Sequence, residues 1–187
     1  MTRIGIIVGS IADASINRQV ANVLPGLVAD DDVEFTFLEF KDLPFYDYAH
    51  DADYPPVARE WKQAIEDVDG VIIVTPEYSR SIPGVLKNAL DWAARPWGQG
   101  SFGGKPVAIM GASIGAAGTA AAQQHLRAIL GHYDAPTMGQ PETFFQYRAD
   151  NFGADGTLQD EAAAAVLGGF VNAAVAHVKK HALVAVA

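Results

Sequence analysis

Three short segments hold the side chains that could do chemistry. "GSIADASIN", residues 9–17, supplies small residues and hydroxyls, with Ser10, Ser15 and Asn17 as donors where a helix is about to begin. Unpaired N–H groups and the positive end of a helix dipole can hold an anion without a cation, so this segment, Ile16 included, suits a phosphate group. An N-cap at Ser15 and a plain turn at Ser10 would account for the same residues. "TPEYSRSIP", residues 75–83, sets Pro76, Glu77, Tyr78, Ser79 and Arg80 at the end of an apolar run. Pro76 and Pro83 stiffen it, successive backbone groups of Glu77, Tyr78 and Ser79 can meet the edge of a flat heterocycle, and the Tyr78 ring can pack beside one. A surface turn with Ser81 near an N-cap and Pro83 in the first helical turn explains those two residues but leaves Glu77 and Tyr78 without a role. "GASIGAAGTAAAQQHLRAIL", residues 111–130, adds the hydroxyls of Ser113 and Thr119 and three glycines, Gly111, Gly115 and Gly118, that let backbone come close; strand-to-helix geometry alone also explains such glycines.

Other chemistries find no footing. No GxxxxGK[ST] or GxGxxG occurs, and "GGKP" at 103–106 lacks the flanks of a Walker loop. With no cysteine there is no thiolate site or nucleophile, and redox work must come from a bound cofactor. His125 sits inside a helical pattern beside Leu126, and His50 lies in an acidic loop with Asp51 and Asp53; none of the five histidines has a partner at metal-ligand spacing. No metal site and no Ser-His-Asp arrangement follow, and no general acid or base is assigned.

The elements that position these loops read from periodicity. Near-continuous apolar runs at 3–8, 33–38, 70–74 and 106–110, with a weaker one at 135–138, have the form of strands buried in a parallel sheet. Amphipathic patterns at 16–28, where Pro25 and Gly26 threaten an early end, and at 57–68, 83–94, 119–131 and 160–182 read as helices. Five strands alternating with five helices predict an α/β doubly wound, mostly parallel sheet, one domain over 1–187, with 41–56 and 139–158 as long irregular stretches. In the strand order 2-1-3-4-5 the three loops follow strands 1, 3 and 4 and meet at the carboxyl edge of the sheet, where ligands bind in such folds. Gly84, Asn88, Asp91 and Arg95 recur along one face of the third helix, close to Trp92 and Trp97; a solvated face and a self-association surface both fit this stripe.

Charge sets the partners. Thirteen basic against 22 acidic side chains leave −9, which repels nucleic acid and anionic membrane surfaces. The apolar start of "MTRIGIIVGS" is too short for a signal peptide, no stretch approaches the ~20 apolar residues that span a bilayer, and the lack of cysteine suits a reducing cytoplasm.

Together the loops resemble the NAD(P)H-dependent FMN reductase family, flavodoxin-like proteins that include flavin, quinone, azo-dye and chromate reductases. The resemblance runs from "IGIIVGS" to the last helix. Gly9, Ser10, Ser15 and Asn17 match the family's phosphate loop GSxRxxSxN, with Ala12 in place of its arginine. Pro76 through Trp92 is similar to PEYNxSxPGxLKNAxDW, with Ser79 in place of asparagine; "GAS", Gly118-Thr119 and the following "AQ" are similar to the segment that flanks the isoalloxazine. The resemblance implies a flavodoxin-like sheet holding FMN through Ser10, Ser15, Ile16, Asn17, Pro76, Glu77, Tyr78, Ser79, Arg80, Ser113 and Gly115. It further implies NAD(P)H as co-substrate, hydride transfer to the flavin, electron transfer to free flavin, a quinone, an azo compound or a metal oxyanion, and a homodimer or homotetramer through residues 84–95. A flavodoxin-type electron carrier without nicotinamide turnover is the alternative.

Overall fold

Ile4, Ile6, Ile7 and Val8 are shielded from solvent, as a strand covered on both faces requires. In the computed structural model, which describes residues 1–184, they lie in β1 (Thr2–Val8). With β2 (Val33–Phe37), β3 (Gly70–Val74), β4 (Val107–Ser113) and β5 (Thr143–Gln146) it forms one sheet ordered β2-β1-β3-β4-β5, each neighbouring pair parallel. The flavodoxin-like, doubly wound order is as expected. Alternation along β3 divides the core: Val71 and Ile73 pack beneath α2 (Pro56–Glu66), α3 (Gly84–Ala94) and α4 (Ala120–His132), while Ile72 and Val74 face α1 (Ile16–Val23) and α5 (Glu161–Val184). Burying each such side chain is worth about 1.5–3 kcal/mol, so the central strand anchors both layers.

Three expectations change. The weak strand at 135–138 is only an isolated bridge, Val107 to Thr137, beside the start of β4; the fifth strand is Thr143–Gln146, inside the stretch read as irregular. Pro136 and Pro141 have no N–H to give a ladder, so regular pairing resumes only beyond them. The first helix ends at Val23 and tightens into a 3₁₀ turn at Leu24–Leu27, where Pro25 removes a donor and Gly26 loosens the backbone. Finally, α5 is long and apolar enough to cross a membrane, against the reading that no stretch is; Leu167, Phe170, Val171, Ala174 and Val178 instead pack into the core.

The polar stripe of α3 is partly spent inside the chain. Asn88 Oδ1 accepts from Tyr46 N–H (2.8 Å) and its Nδ2 donates to the Pro44 carbonyl (2.9 Å), which also accepts from Trp92 Nε1. Arg95 donates to the Tyr46 hydroxyl and pairs with Asp51. Residues 44–54 are thereby fastened onto α3, with Tyr54 donating to the Trp92 carbonyl. Burial, and secondarily the Asp51 hydrogen bond, raise the Tyr46 phenol above its usual range, so Tyr46 stays neutral.

Candidate functional site

At the carboxyl edge, β1, β3 and β4 each give way to a loop, and close packing fuses the three. A Cβ on Gly9 would come 2.9 Å from Thr75 Oγ1, and one on Gly111 would come 2.1 Å from both Thr119 Oγ1 and the Thr75 carbonyl. Gly118 sits at φ 57° against Phe144, a conformation and a space that only glycine tolerates well.

In the first loop Ser15 is the N-cap of α1, its Oγ accepting from Arg18 N–H (3.2 Å), and Ser10 Oγ accepts from Ala12 N–H (3.3 Å). Both hydroxyl protons remain to be donated, and the N–H groups of Ile16 and Asn17, in the first turn, have no intrahelical partner. That donor set fits a phosphate. Nearby cations are already paired: Arg18 forks onto Glu39 (2.8 and 2.9 Å) and covers the Phe37 ring, and Lys41 lies 3.6 Å from Asp13. A cleft of ≈ 260 Å³ borders Ala12, Arg18, Glu39 and Lys41, where the family arginine is missing.

Asn17 departs from expectation. Its side chain is buried and engaged with one residue: Nδ2 donates to the Ala112 carbonyl and Oδ1 accepts from Ala112 N–H, both at 2.9 Å. The reason lies in the sheet. The Met110 carbonyl accepts from Thr75 N–H, but β3 then leaves at Pro76, so Ala112, two residues on and facing the same side, has no strand on that side, only β5 on the other. Asn17 fills that gap, and its amide is not a phosphate donor here, whereas its backbone N–H stays in the expected place.

The second loop is a two-residue hairpin. Tyr78 and Ser81 exchange backbone hydrogen bonds (2.9 and 3.0 Å), and Ser79 and Arg80 between them have φ of 51° and 66°. Two left-handed residues in succession make a turn of the type that favours Asn and Gly, which gives a physical sense to the asparagine in the family pattern at 79. Pro83, expected in the first helical turn, is itself the N-cap; Ser81, two residues before it, does not cap the helix, and its Oγ lies 3.0 Å from His125 Nδ1. The Glu77 side chain, unassigned from sequence, reaches across to α4: Oε2 accepts from the N–H groups of Ala121 (2.9 Å) and Ala122 (3.1 Å). Thr119 reads as an ordinary N-cap residue for α4, so no local signal in the sequence points to this remote carboxylate. In the third loop Ser113 Oγ accepts from Gly115 N–H (3.2 Å), and Ile114 stands out into solvent. Ile11 (41 %), Tyr78 (54 %) and Ile114 (76 %) place one exposed apolar side chain on each loop. A cleft of ≈ 1040 Å³ lies elsewhere, between the C-terminal ends of α3 and α4, away from this edge. Among the described residues no cluster of three metal-ligating side chains occurs.

A five-stranded parallel sheet with a phosphate-type loop after β1 and two further loops at the same edge defines a flavodoxin-like protein. The model of the NADPH-dependent FMN reductase family matches residues 2–150, and the chain belongs to that family. It is 50 % identical over 159 residues to a 2-hydroxy-1,4-benzoquinone reductase of Burkholderia sp, covering 85 % of this chain and 86 % of that protein. It is 39 % identical over 161 residues to a quinone reductase of Pseudomonas putida, covering 84 % and 85 % of the two. Among solved structures it resembles the flavoenzyme NAD(P)H:(acceptor) oxidoreductase FerB of Paracoccus denitrificans, with TM-score 0.91 and 42 % identity over 97 % of this chain and 99 % of that one.

Proposed function

We propose that this chain is an NAD(P)H-dependent, FMN-containing reductase whose acceptor is a quinone or another small molecule reducible by two electrons. The observation that carries the site is the donor set at the start of α1: two serine hydroxyls with protons to give and two unpartnered N–H groups, enough for a phosphate monoester without a cation. When bound, FMN supplies the two-electron chemistry between nicotinamide and acceptor. Ser10, Ser15 and the amides of Ile16 and Asn17 would hold the phosphate. The backbone from Pro76 to Arg80, with Ser113 and Gly115, would line the polar edge of the ring, and Ile11, Tyr78 and Ile114 would keep water from its faces. N–H groups fixed before reaction can stabilise negative charge as it develops at that edge.

The relatives' names favour a quinone over free flavin, an azo compound or a metal oxyanion. The proposal includes one domain over 1–187, a cytoplasmic setting and a homodimer or homotetramer that uses α3. Since Asn88 and Arg95 are engaged internally, the surface left for a second subunit is Lys87 and Asp91 with the exposed aromatics Tyr48 and Trp97. Titration of the flavin-stripped protein with FMN, then NADH or NADPH oxidation with benzoquinone, tests the reading. Saturable FMN binding that Ser10→Ala/Ser15→Ala weakens at least tenfold is the expected result, because each lost bond to a charged group costs about 1.5–3 kcal/mol. Unchanged affinity in that variant refutes the phosphate site; FMN binding without nicotinamide oxidation would favour an electron carrier.

A further inference from the structure

Helix α4 does not cap itself. Thr119, at its N-cap position, has a hydroxyl that accepts from Gln123 Nε2 (3.0 Å) rather than from its own first turn. The second and third N–H groups of the helix, those of Ala121 and Ala122, are taken by a carboxylate 44 and 45 residues away, Glu77. Glu77 immediately precedes the hairpin Tyr78–Ser81, and the far end of that hairpin is joined to the same helix through Ser81 and His125. Both ends of the hairpin are therefore pinned to α4, the helix that the third loop leads into. Across its turn stand two residues of positive φ, a conformation with little intrinsic support from serine or arginine, so the pins from outside must hold it.

We infer that Glu77 is a positioning residue for the flavin ring: its side chain, acting through the amino end of α4, fixes the distance between the hairpin and the third loop, and hence the width of the slot that takes the isoalloxazine. This rests on the flavin reading above, and the test separates the two. Glutamine can still accept both N–H groups through its amide oxygen; aspartate keeps the charge but is one methylene short; alanine has neither. Riboflavin shares the ring of FMN and lacks the phosphate, so it reports on the slot alone.

The flavin-stripped protein is titrated with FMN and with riboflavin by fluorescence quenching, in wild type, Glu77→Gln, Glu77→Asp, Glu77→Ala and Ser10→Ala/Ser15→Ala, with urea unfolding of each to establish that it is folded. Losing a half-buried, charged cap predicts that Glu77→Ala and Glu77→Asp weaken FMN and riboflavin by the same factor, about tenfold, while Glu77→Gln stays within about threefold of wild type. The serine pair should weaken FMN alone. Riboflavin affinity unchanged in folded Glu77→Asp or Glu77→Ala overturns the inference, and so does a Glu77→Gln variant as weak as alanine. If Glu77→Ala does not fold, the aspartate and glutamine variants decide by the same criteria. If the serine pair leaves FMN affinity unchanged, the phosphate site falls, whatever the Glu77 variants do.

Discussion

Asn17→Ala should cost this protein stability first and flavin affinity second. The side chain closes two hydrogen bonds on Ala112 at 2.9 Å, at a point where both residues are about 1 % exposed. Alanine leaves the N–H and the carbonyl of Ala112 buried without partners, at about 1–3 kcal/mol each, so the loss should reach about 2–6 kcal/mol. For a chain of this size each kcal/mol moves Tm by about 2–4 °C, which places the drop at roughly 4–24 °C. Asn17→Asp is the sharper probe. A carboxylate there faces the Ala112 carbonyl with no proton to donate, whereas a carboxylic acid restores the donor. The native fold thus favours the protonated form and raises the introduced carboxyl above the ordinary ~3.9. The restored bond is present below that value and is lost as the pH rises through the raised one, so the deficit relative to wild type should shrink on acidification. Urea unfolding of the flavin-stripped protein, followed by tryptophan fluorescence from pH 4 to 8, measures it. Asn17→Ala within about 0.5 kcal/mol of wild type would refute the reasoning, as would a variant of full stability that no longer takes up FMN.

Ala12→Arg should raise FMN affinity about tenfold or more by adding a charge-assisted donor where the nearby cations are already paired, measured by the same titration. Ser79→Asn should stabilise the protein by a few tenths to about 1 kcal/mol, because asparagine suits a left-handed turn position better than serine; a lower urea midpoint would contradict the turn assignment. Burial depresses the His177 imidazole below its usual range, with His181 and Lys180 adding to the effect against the pull of the Pro136 carbonyl. The stability tied to neutral His177 is complete above the ordinary value of about 6.5 and is lost as the pH falls below it. The fall in Tm from pH 7.5 to 5 should accordingly be shallower in His177→Gln than in wild type.

Most of the fold was legible because burial on both faces of a parallel sheet writes itself as apolar runs, and Ile4–Val8 and Val71–Val74 are such runs. The fifth strand was missed for the converse reason. Phe144 and Gln146 of β5 are exposed while Thr143 and Phe145 are buried, a four-residue alternation at a sheet edge too short to register as a run. The loops' position was legible from the order of elements. The duties of single side chains were not. The sequence cannot say whether a donor beside a phosphate loop points outward, as Ser10 can, or inward, as Asn17 does, because that depends on β3 ending at Val74, two residues before Pro76. Nor does it show that Asn88 and Arg95 serve residues 44–54 rather than a partner, since their bonds join residues 42 to 49 positions apart.

The link between Asn17 and Ala112 spans 95 positions. During synthesis the first loop emerges early, yet it has nothing to lock onto until β4 has been made and has joined the sheet. A chain halted before residue 112 could pair β1 with β2 and β3 and still lack a settled start to α1. Flavin uptake would then report on completed molecules alone, and incomplete ones would stay colourless.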